Sequence, residues 1–486
     1  MSPAEVDAAL RRAAAHFAAD RIDEAHQAAI DLSRSEPRNF HVQHLVAAVA
    51  ARRGRWEECV AAATAALALQ PGHPEALANR GAALRMLGRI EEALADYDRA
   101  IAAAPASPEA HNNRGVALAA LNRHREAIDA YRRALQLRPA YDRARFNLAM
   151  SELVTGDLAN GWRDHEARWT GSEMHRGPRA LPWRTWDGAE DLDGKRLLLY
   201  AEQGLGDTLQ FARYATLAAR RGARVILEVH APLAPLLAGI EGVETVVPLG
   251  QPLPDFDLHC ALMSAPLAFG TMLETIPARV PYVRAPEEAV APWRDRIETL
   301  SLRVGLAWSG SRTLRNDANR SLALERLAPI AAMVAAMGGA VVAVQTDIRE
   351  PDRDWLGRMN VLDFSGELRD FSDTAALLGS LDLVISVDTA AAHLVGAMGK
   401  PVWVMLPFSP DWRWTLTGDH SPWYPRMRLF RQAKPGDWSG VKRQAFIVTL
   451  SGSAGGDGGI RTLDTPLQAY NGLANRRLQP LGHVSA

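Results

Sequence analysis

Cysteine is scarce in this sequence, and the scarcity excludes two classes of structure. Only Cys59 and Cys260 occur among the 486 residues. Two thiols cannot build the disulfide framework of a small secreted protein or a cysteine-rich zinc site. The composition therefore favours a protein of a reducing compartment.

The sequence also lacks an excess of either charge and a long apolar run. The formal net charge is -1, which gives no overall case for binding nucleic acid. No uninterrupted apolar stretch is long enough to span a bilayer. The stretch MSPAEVDAALRRAAAHFAAD carries charges where a signal peptide has its apolar core. We expect a cytoplasmic protein with no transmembrane segment and no nucleic-acid partner.

A period of 34 residues runs through the first part of the chain. The residues that recur at this spacing are Pro37, Pro71, Pro105 and Pro139, then Gly81 and Gly115, Ala93 and Ala127, Tyr97 and Tyr131, and Ala100 and Ala134. The pattern resembles the tetratricopeptide repeat, in which small residues let two antiparallel helices approach and the proline ends the second helix. Four repeats fit from about residue 4 to 139, and a degenerate fifth extends to Trp169.

The resemblance implies an α-solenoid over residues 1–170 that binds a protein or peptide on its concave face. A scaffold or dimerisation arm without a peptide ligand is the alternative. Residues 171–194 follow as a connector, and the stretch from residue 162 to 186 has four tryptophans: Trp162, Trp169, Trp183 and Trp186. A flexible linker needs no such large rings, so we expect them to pack the arm onto the next domain.

Two stretches of alternating strand and helix patterns come next, at residues 195–300 and 301–450. The first opens with a strand at 197–200, a tight turn that ends in Asp207, and a helical pattern. The second has strand patterns at 304–308, 341–344, 361–363, 383–386 and 402–405. Both are typical of doubly wound, Rossmann-like α/β domains. A dinucleotide site is disfavoured although Glu228 could take a ribose, because Leu209 replaces the third glycine of G-x-G-x-x-G.

The turn after the 383–386 strand is a candidate diphosphate cradle. Unpaired N–H groups in the first turn of a helix attract anions, and small side chains let a phosphate approach. The positions concerned are Thr389, Ala390, Ala391 and Ala392. Asp388 argues partly against an anion site, because a carboxylate repels phosphate unless it caps the helix or meets a sugar hydroxyl. An ordinary buried βαβ unit is the alternative interpretation.

Two α/β domains in series with glycine-containing turns facing one another describe the GT-B architecture, in which the ligands lie between the domains. The motifs AEQGLGDTLQFARY, GLAWSG, NDANRS, SVDTAAAH and SPDWRW resemble those of bacterial tetratricopeptide-repeat proteins that end in a heptosyltransferase-like glycosyltransferase domain. The resemblance covers residues 1 to about 438. It implies an α-solenoid followed by an α/β GT-B fold of two doubly wound Rossmann-like domains.

The same resemblance implies inverting transfer of a sugar from a nucleotide diphosphate sugar. This donor is a substrate, and neither a metal nor another cofactor is implied. Asp207 would be the base, and the diphosphate would lie at Thr389 to His393. In such relatives a lysine often stands where this chain has Thr346. The segment 451–486 does not resemble the C-terminal helix of the family, and we expect it to be disordered.

Each candidate residue has an ordinary structural alternative. Asp207 could be a helix N-cap, and His393 could be a core histidine that never meets a phosphate or ribose. Arg320 is the best candidate to offset the charge of the leaving group, although most loop arginines are solvated. Candidate acceptor or sugar contacts are Gln203, Gly204, Gly206, Trp308 and Trp412, and core packing would equally explain both tryptophans.

No set of His, Cys and carboxylate residues has metal-ligand spacing in the sequence, so we expect no metal site. Two functions remain open at this point. The first is a glycosyltransferase whose repeat arm recruits a protein or glycan acceptor. The second is a catalytically inactive scaffold that mediates protein–protein interaction.

Overall fold

The computed structural model describes residues 1–172, 177–297, 301–312 and 316–441. The expectation for residues 451–486 falls outside these ranges and stays a prediction. The repeat arm comprises helices α1 (Pro3–Ala18), α2 (Ile22–Ser35), α3 (Phe40–Arg52), α4 (Trp56–Leu69), α5 (Pro74–Met86), α6 (Ile90–Ala103), α7 (Pro108–Ala120), α8 (His124–Leu137), α9 (Asp142–Thr155), α10 (Leu158–His165) and α11 (Arg168–Gly171).

The arm is built from successive helix pairs, as the 34-residue period predicts. The recurrent prolines follow α2, α4, α6 and α8 at the second residue after each helix end. A Cβ atom at Gly115 would lie 2.5 Å from the Tyr131 ring, and one at Gly81 would lie 2.7 Å from the Tyr97 ring. The glycines are therefore required by helix contact, and the tyrosines fill the space that they leave.

The residues that the structure describes between 177 and 441 form an α/β body with two parallel sheets. The strands are β1 (Arg184–Thr185), β2 (Arg196–Tyr200), β3 (Arg224–Val229), β4 (Val243–Pro248), β5 (Leu258–Ala261), β6 (Arg303–Ala307), β7 (Ala340–Ala343), β8 (Val361–Asp363), β9 (Leu383–Val387), β10 (Val402–Leu406) and β11 (Met427–Arg431). The first sheet has the order β1-β5-β2-β3-β4, and the second has the order β11-β10-β9-β6-β7-β8.

Helices connect these strands, and central strands such as β2, β6 and β9 are largely apolar and buried, whereas the edge strands β1, β4 and β8 are partly exposed. The helices are α12 (Leu205–Phe211), α13 (Arg213–Arg220), α14 (Ala234–Leu237), α15 (Ala265–Ala268), α16 (Glu287–Ile297), α17 (Asp317–Arg320), α18 (Ala328–Ala336), α19 (Glu350–Arg358), α20 (Phe371–Gly379) and α21 (Ala390–Ala397). Short 3-10 turns lie at Ala231–Leu233, Leu262–Ser264, Leu273–Thr275, Leu324–Leu327, Ser365–Glu367 and Trp412–Trp414.

The strands expected at the start of the first α/β stretch and throughout the second are confirmed to within a residue or two. The sequence analysis missed β4 and β5, because they lie in a proline-containing stretch with a weak pattern. It also missed β11. The single helix expected after Asp207 is divided at Ala212 into α12 and α13. None of the described helices combines the length and the apolar character that crossing a membrane requires.

One apolar cluster joins the arm to both sheets of the body. It contains residues of α9 and α10 together with the cores beneath β2 and β9. Trp162 of α10 is buried, and its indole N–H donates to the Thr271 carbonyl oxygen over 3.0 Å. Trp186 is buried against Phe269, whereas Trp183 is 56% exposed. Trp162 thus packs the end of the arm onto the body as expected, whereas the ring contact of Trp186 lies within the body and Trp183 is largely exposed.

Candidate active site

The turn after β2, residues 201–207, orients the Asp207 carboxylate. Gly204 is the N-cap residue of α12, and its N–H donates to Asp207 Oδ2 over 2.8 Å. The other carboxylate oxygen, Oδ1, accepts from the Arg413 guanidinium. The Asp207 side chain is still 22% exposed. The carboxylate therefore supports its own helix and forms an ion pair, yet it remains open to the cleft.

Arg413 belongs to the opposite part of the body, in the 3-10 turn before β11. Its guanidinium also donates to Asp411 Oδ1 over 2.8 Å and to Gln210 Oε1 over 2.7 Å. Burial alone would lower the pKa of Arg413, but Asp411 and Asp207 outweigh burial and raise that pKa above its ordinary value. The guanidinium thus stays charged and fixes the Asp207 turn against the second sheet. The sequence analysis did not select Arg413, although it lies in the SPDWRW motif.

The turn between β9 and α21, residues 388–392, presents a helix N-terminus without a side-chain cap. Thr389 is the N-cap residue, but its hydroxyl lies 3.0 Å from Ser386 Oγ and makes no bond to the helix N–H groups. Ala390 and Ala391 are partly exposed, whereas Ala392 is buried. The free N–H groups of this turn give α21 a positive end that small side chains leave accessible.

The two turns meet directly at Gly206. A Cβ atom there would lie 2.9 Å from His393 Cδ2 and 3.6 Å from Ala390 Cα. Only a glycine allows the start of α12 to approach the start of α21 this closely. The two turns therefore face one another as predicted, but only the first of them contains glycine. Asp207, the residue after Gly206, lies close to the end of α21 that carries Thr389.

Asp388 is the first residue of the second turn, and its surroundings disfavour its charge. Burial and, after it, the neighbouring Asp411 raise the pKa of Asp388 to about 6. The Asp388 carbonyl oxygen accepts from Arg320 Nη1 over 2.9 Å. Its carboxylate does not provide the N-cap that the sequence suggested, since no side chain bonds to the first N–H groups of α21.

His393 is buried within the first turn of α21. Its Nδ1 lies 3.0 Å from the Tyr424 hydroxyl, and its ring stacks on Trp414 at 5.2 Å between centroids. Burial, followed by the nearby Arg413 and other guanidinium groups, holds the pKa of His393 well below its usual range. The imidazole is therefore neutral. His393 is therefore packed as a core histidine, which was the structural alternative in the sequence analysis. Its Nε2 atom nevertheless lies 4.0 Å from Asp388 Oδ1.

Arg320 supplies the cation nearest to the backbone of the second turn. It closes α17, and its guanidinium covers Gly310, where a Cβ atom would lie 2.3 Å from Arg320 Nη2. The Arg320 Nε atom is buried and has no hydrogen-bond partner among the described residues. Arg320 is thus packed in place beside Asp388 and is not a solvated loop arginine.

The two candidate tryptophans lie in packed positions. Trp308 is fully buried, and its indole N–H donates to Asp352 Oδ2 over 2.9 Å within the core of the second sheet. The prediction that Trp308 contacts a sugar is therefore wrong, because its ring is enclosed in the core. Trp412 is buried edge-to-face against Trp162 of the arm at 5.2 Å. Gln203 remains partly exposed at the mouth of the Asp207 turn.

The fold also gathers a group of potential metal ligands that the sequence did not reveal. His44 of α3, His73 at the N-cap of α5 and Glu75 of α5 have ligand atoms within 4.8 Å of one another. These residues belong to the repeat arm. Because His44 is distant in sequence from the other two, no metal-ligand spacing could be recognised. Neither turn of the candidate active site is part of this group.

Among the comparisons with known proteins, the family model falls within the arm, whereas a curated relative matches a longer part of the chain. The family model described as tetratricopeptide repeat matches residues 47–108, 87–142 and 112–168. A curated relative, Protein FlbA from Caulobacter vibrioides (strain ATCC 19089 / CIP 103742 / CB 15), is 28% identical over 324 residues. The match covers 60% of this chain and 52% of FlbA. The chain therefore spans about half the length of the relative that it matches.

Solved structures similar to part of the chain include MamA from Desulfovibrio magneticus RS-1, with 19% identity and a TM-score of 0.31. A thermophilic TPR protein of Thermus thermophilus has 18% identity and a TM-score of 0.31. Each covers 35% of this chain and 94% of the other. The match to the family model and the observed sheets together describe a helical arm with tetratricopeptide repeats, followed by an α/β body with two parallel sheets.

Proposed function

We propose that the chain is an inverting, metal-independent glycosyltransferase. It would move a sugar from a nucleotide diphosphate sugar to a protein or glycan acceptor that the repeat arm recruits. The observation that carries the proposal is the contact at Gly206, which sets the start of α12, with Asp207 as its next residue, against the uncapped N-terminus of α21. Inverting transfer needs a base on one side of the sugar and anion stabilisation on the other.

In this proposal Asp207 takes the proton of the acceptor hydroxyl while that oxygen bonds to the anomeric carbon. The bond between the anomeric carbon and the diphosphate oxygen breaks at the same time. Each carboxylate oxygen has two lone pairs, so the bonds from Gly204 and Arg413 leave acceptor capacity free on Asp207. Arg413 acts as a positioning residue, because it holds the carboxylate and does not meet the sugar.

The leaving diphosphate would lie against the N–H groups of Ala390, Ala391 and Ala392. A helix N-terminus carries about half a positive charge and offers unpaired donors. Arg320 adds a full positive charge beside the same turn. Together they offset the negative charge that appears on the diphosphate without a metal ion.

A specific observation favours the alternative, an inactive scaffold. Asp207 already supports α12 and pairs with Arg413, and both contacts are useful to stability alone. The tetratricopeptide repeats support a role in binding proteins with or without catalysis. The two functions differ in whether a nucleotide diphosphate sugar is consumed.

The test is a calorimetric screen of nucleotide diphosphate sugars, followed by a turnover assay on Asp207→Asn. The amide keeps the size of the side chain and an oxygen for the Gly204 N–H, but it cannot take a proton. We expect unchanged donor affinity and a loss of turnover of about a hundred- to ten-thousand-fold. Asp255→Asn, at an exposed carboxylate in the segment before β5, is the control and should keep full activity.

Two results would contradict the proposal. A wild-type protein that neither transfers nor hydrolyses any nucleotide diphosphate sugar supports the scaffold. Full turnover in Asp207→Asn means that the base lies elsewhere.

A further inference from the structure

Two histidines and a glutamate come together where two neighbouring repeats of the arm meet. His44 belongs to α3, His73 is the N-cap residue of α5, and Glu75 lies in the first turn of α5. One ligand atom from each of the three residues lies within 4.8 Å of the other two. Both imidazole rings are partly buried and Glu75 is exposed, so an ion can reach the cluster from solvent.

The spacing of the two imidazole rings is that of a metal site. A metal ion lies on the line from each ring centroid through the ligating nitrogen, because the lone pair points outward along that line. Zinc–nitrogen bonds of about 2.0–2.1 Å, a ring radius of about 1.1 Å and a tetrahedral angle place the two centroids about 5.2 Å apart. The observed distance between the centroids of His44 and His73 is 5.3 Å. The side chains therefore need only turn to bind one ion, and α3 and α5 need not move.

Neighbouring side chains hold the two rings in place. The Phe40 ring stacks on His44 at 5.6 Å between centroids and is tilted against His73 at 4.6 Å. Asn79 Nδ2 lies 3.3 Å from His44 Nε2, which is beyond the usual length of a hydrogen bond between two such groups. An ion therefore binds the other nitrogen of His44, with Asn79 orienting the ring, or displaces this long contact at low cost.

His73 differs from the capping residues of the adjacent repeats. The matching positions 34 residues away are Asn39 and Ser107, which cap α3 and α7. Asparagine and serine are preferred N-cap residues, whereas histidine is not among them. The cap bond that His73 makes, from the Ala76 N–H to Nδ1, is long at 3.4 Å. A neutral His73 ring that binds an ion through Nε2 carries its proton on Nδ1 and gives up only this weak bond.

Glu75 also differs from its counterpart in the next repeat. Glu109 lies 34 residues further along the chain and forms an ion pair with Arg138 over 2.6 Å. Ala104 stands at the position that would supply the same partner to Glu75. Within the ranges that the structure describes, Glu75 makes no ion pair. Its carboxylate is therefore free to give a cation an oxygen ligand and a negative charge.

We propose that His44, His73 and Glu75 bind a divalent transition-metal ion, with Zn²⁺ as the preferred ion. Two imidazole nitrogens and a carboxylate oxygen are a ligand set of zinc sites in which water takes the fourth tetrahedral position. Mg²⁺ and Ca²⁺ are disfavoured, because they prefer sites built from oxygen ligands alone. The ion joins α3 to α5 and so stabilises the contact between two successive repeats.

This zinc site goes beyond the proposed function. Its ligands lie in the arm, and neither turn of the candidate active site contains one of them. Sugar transfer in the body therefore still needs no metal ion. The expectation of no metal site rested on spacing along the chain, which does not show the contacts that form when repeats stack.

The test uses the full chain without an affinity tag, freed of metal by a chelator and titrated with ZnCl₂ in a calorimeter. CoCl₂ is the spectroscopic probe, because tetrahedral Co²⁺ absorbs visible light far more strongly than Co²⁺ in water. We expect tight binding of a single Zn²⁺ ion and a tetrahedral Co²⁺ spectrum that added Zn²⁺ abolishes. Zn²⁺ should also raise the Tm of the arm, measured by far-ultraviolet circular dichroism, because it binds only the folded repeats.

Two variants remove a ligand while keeping the repeat pattern. His44→Ala and His73→Ser each introduce the residue that the next repeat has at the matching position, Ala78 or Ser107, so the arm should still fold. Loss of a residue that merely orients a ligand typically costs about 10–100-fold in metal affinity, so loss of a ligand should cost about tenfold or more. Glu75→Gln, at an exposed position, should also weaken binding, because the carboxylate charge is lost.

The arm also offers a matched control. His26 Nε2 lies 2.8 Å from Glu58 Oε1, but this pair has no third potential ligand among the described residues. His26→Asn should therefore leave the Zn²⁺ affinity nearly unchanged. Asp207→Asn should bind Zn²⁺ as the wild type does, which separates this site from catalysis.

Several outcomes would overturn the zinc site. They are no tight binding of Zn²⁺ to the wild type, unchanged affinity in both His73→Ser and Glu75→Gln, or equal weakening by His73→Ser and His26→Asn. Bound Co²⁺ without a tetrahedral spectrum would show that the ion meets only scattered surface histidines. A rise in Tm with Zn²⁺ that persists in His73→Ser would likewise place the ion elsewhere.

Discussion

The repeat arm and the α/β body hold their key contacts over very different distances along the chain. In the arm, each repeat glycine lies against a tyrosine of its own repeat: Gly115 lies against Tyr131, and in the preceding repeat Gly81 lies against Tyr97. In the body, the ion pair between Asp207 and Arg413 joins residues 206 positions apart. Local contacts recur with a period that is visible in the sequence, whereas the site of the body depends on two sheets being packed together. The difference can be tested by variants that affect one region and spare the other.

The largest expected effect concerns the body alone. Ala391→Glu puts a carboxylate at the first turn of α21, where the diphosphate is proposed to lie. Repulsion and lost space should abolish binding of nucleoside diphosphates in calorimetry, while the arm and its helicity stay intact. Ala335→Glu, at an exposed position of α18, makes the same change outside the site. Unaltered affinity in Ala391→Glu would move the donor site away from this turn.

The next largest effect concerns the boundary between the two regions. Arg168 is fully buried at the end of the arm and donates to Glu166, Glu202 and Ser264 over 2.6, 3.0 and 2.7 Å. Burial, opposed by Arg168, already raises the pKa of Glu202 to about 7. Arg168→Met leaves the buried Glu202 without its cation and should lower the free energy of unfolding by about 3–5 kcal/mol.

Urea unfolding monitored by fluorescence at pH 8 measures the effect of Arg168→Met. Arg184→Met removes the exposed pair with Glu190 and should cost less than about 1 kcal/mol. Equal losses in the two variants would mean that the buried ion pairs do not join the arm to the body.

Sequence reasoning recovered what is periodic or local. It gave the helix pairs of the arm, most strands of the body, and the apposition of the Asp207 and Thr389 turns. It missed Arg413 because nothing near that residue in the sequence identifies Asp207 as its partner. It also placed Trp308 in the site, since a tryptophan beside a glycine-rich turn looks the same in sequence whether it faces a cleft or a core.

The GT-B assignment, the domain boundaries, the base role of Asp207 and the donor site stay predictions, because the matching family model describes only the repeats of the arm. The physical reason is that the strand order of a parallel sheet determines which turns lie next to one another. The catalytic role of a side chain depends in addition on its contacts with a bound substrate.

A moderate effect is expected within the arm. Gly115→Ala would force a methyl group against the Tyr131 ring, so one of the two helices must shift. The free energy of unfolding of the arm should fall by about 1–3 kcal/mol. Gly72→Ala, at an arm turn with no atom within 4 Å of the added Cβ, should be close to neutral. Circular dichroism during thermal unfolding measures both, and similar melting curves would show that the arm tolerates looser helix contact.

The smallest effect is a pH dependence in the body. Because the pKa of Asp388 is raised to about 6 in the folded protein, the native state holds more protons than the unfolded chain between about pH 4 and 6. Wild-type stability should therefore fall as pH rises through this window. Asp388→Asn has no carboxyl group that titrates at this position. Its free energy of unfolding, relative to that of the wild type, should therefore rise by about 1 kcal/mol between pH 5 and pH 8. The measurement is the Tm of both proteins at pH 5 and pH 8. The same Tm difference between them at the two pH values would contradict the raised pKa of Asp388.

The contact between Trp162 of the arm and Trp412 of the body has an optical consequence. Their rings meet edge-to-face at 5.2 Å, a separation at which the transitions of two indoles couple and give near-ultraviolet circular dichroism. This signal depends on the docking of the arm, whereas the far-ultraviolet signal depends on helices that persist after undocking. The near-ultraviolet circular dichroism of the unlabelled protein should therefore report whether the arm stays docked on the body while a peptide or nucleotide is titrated.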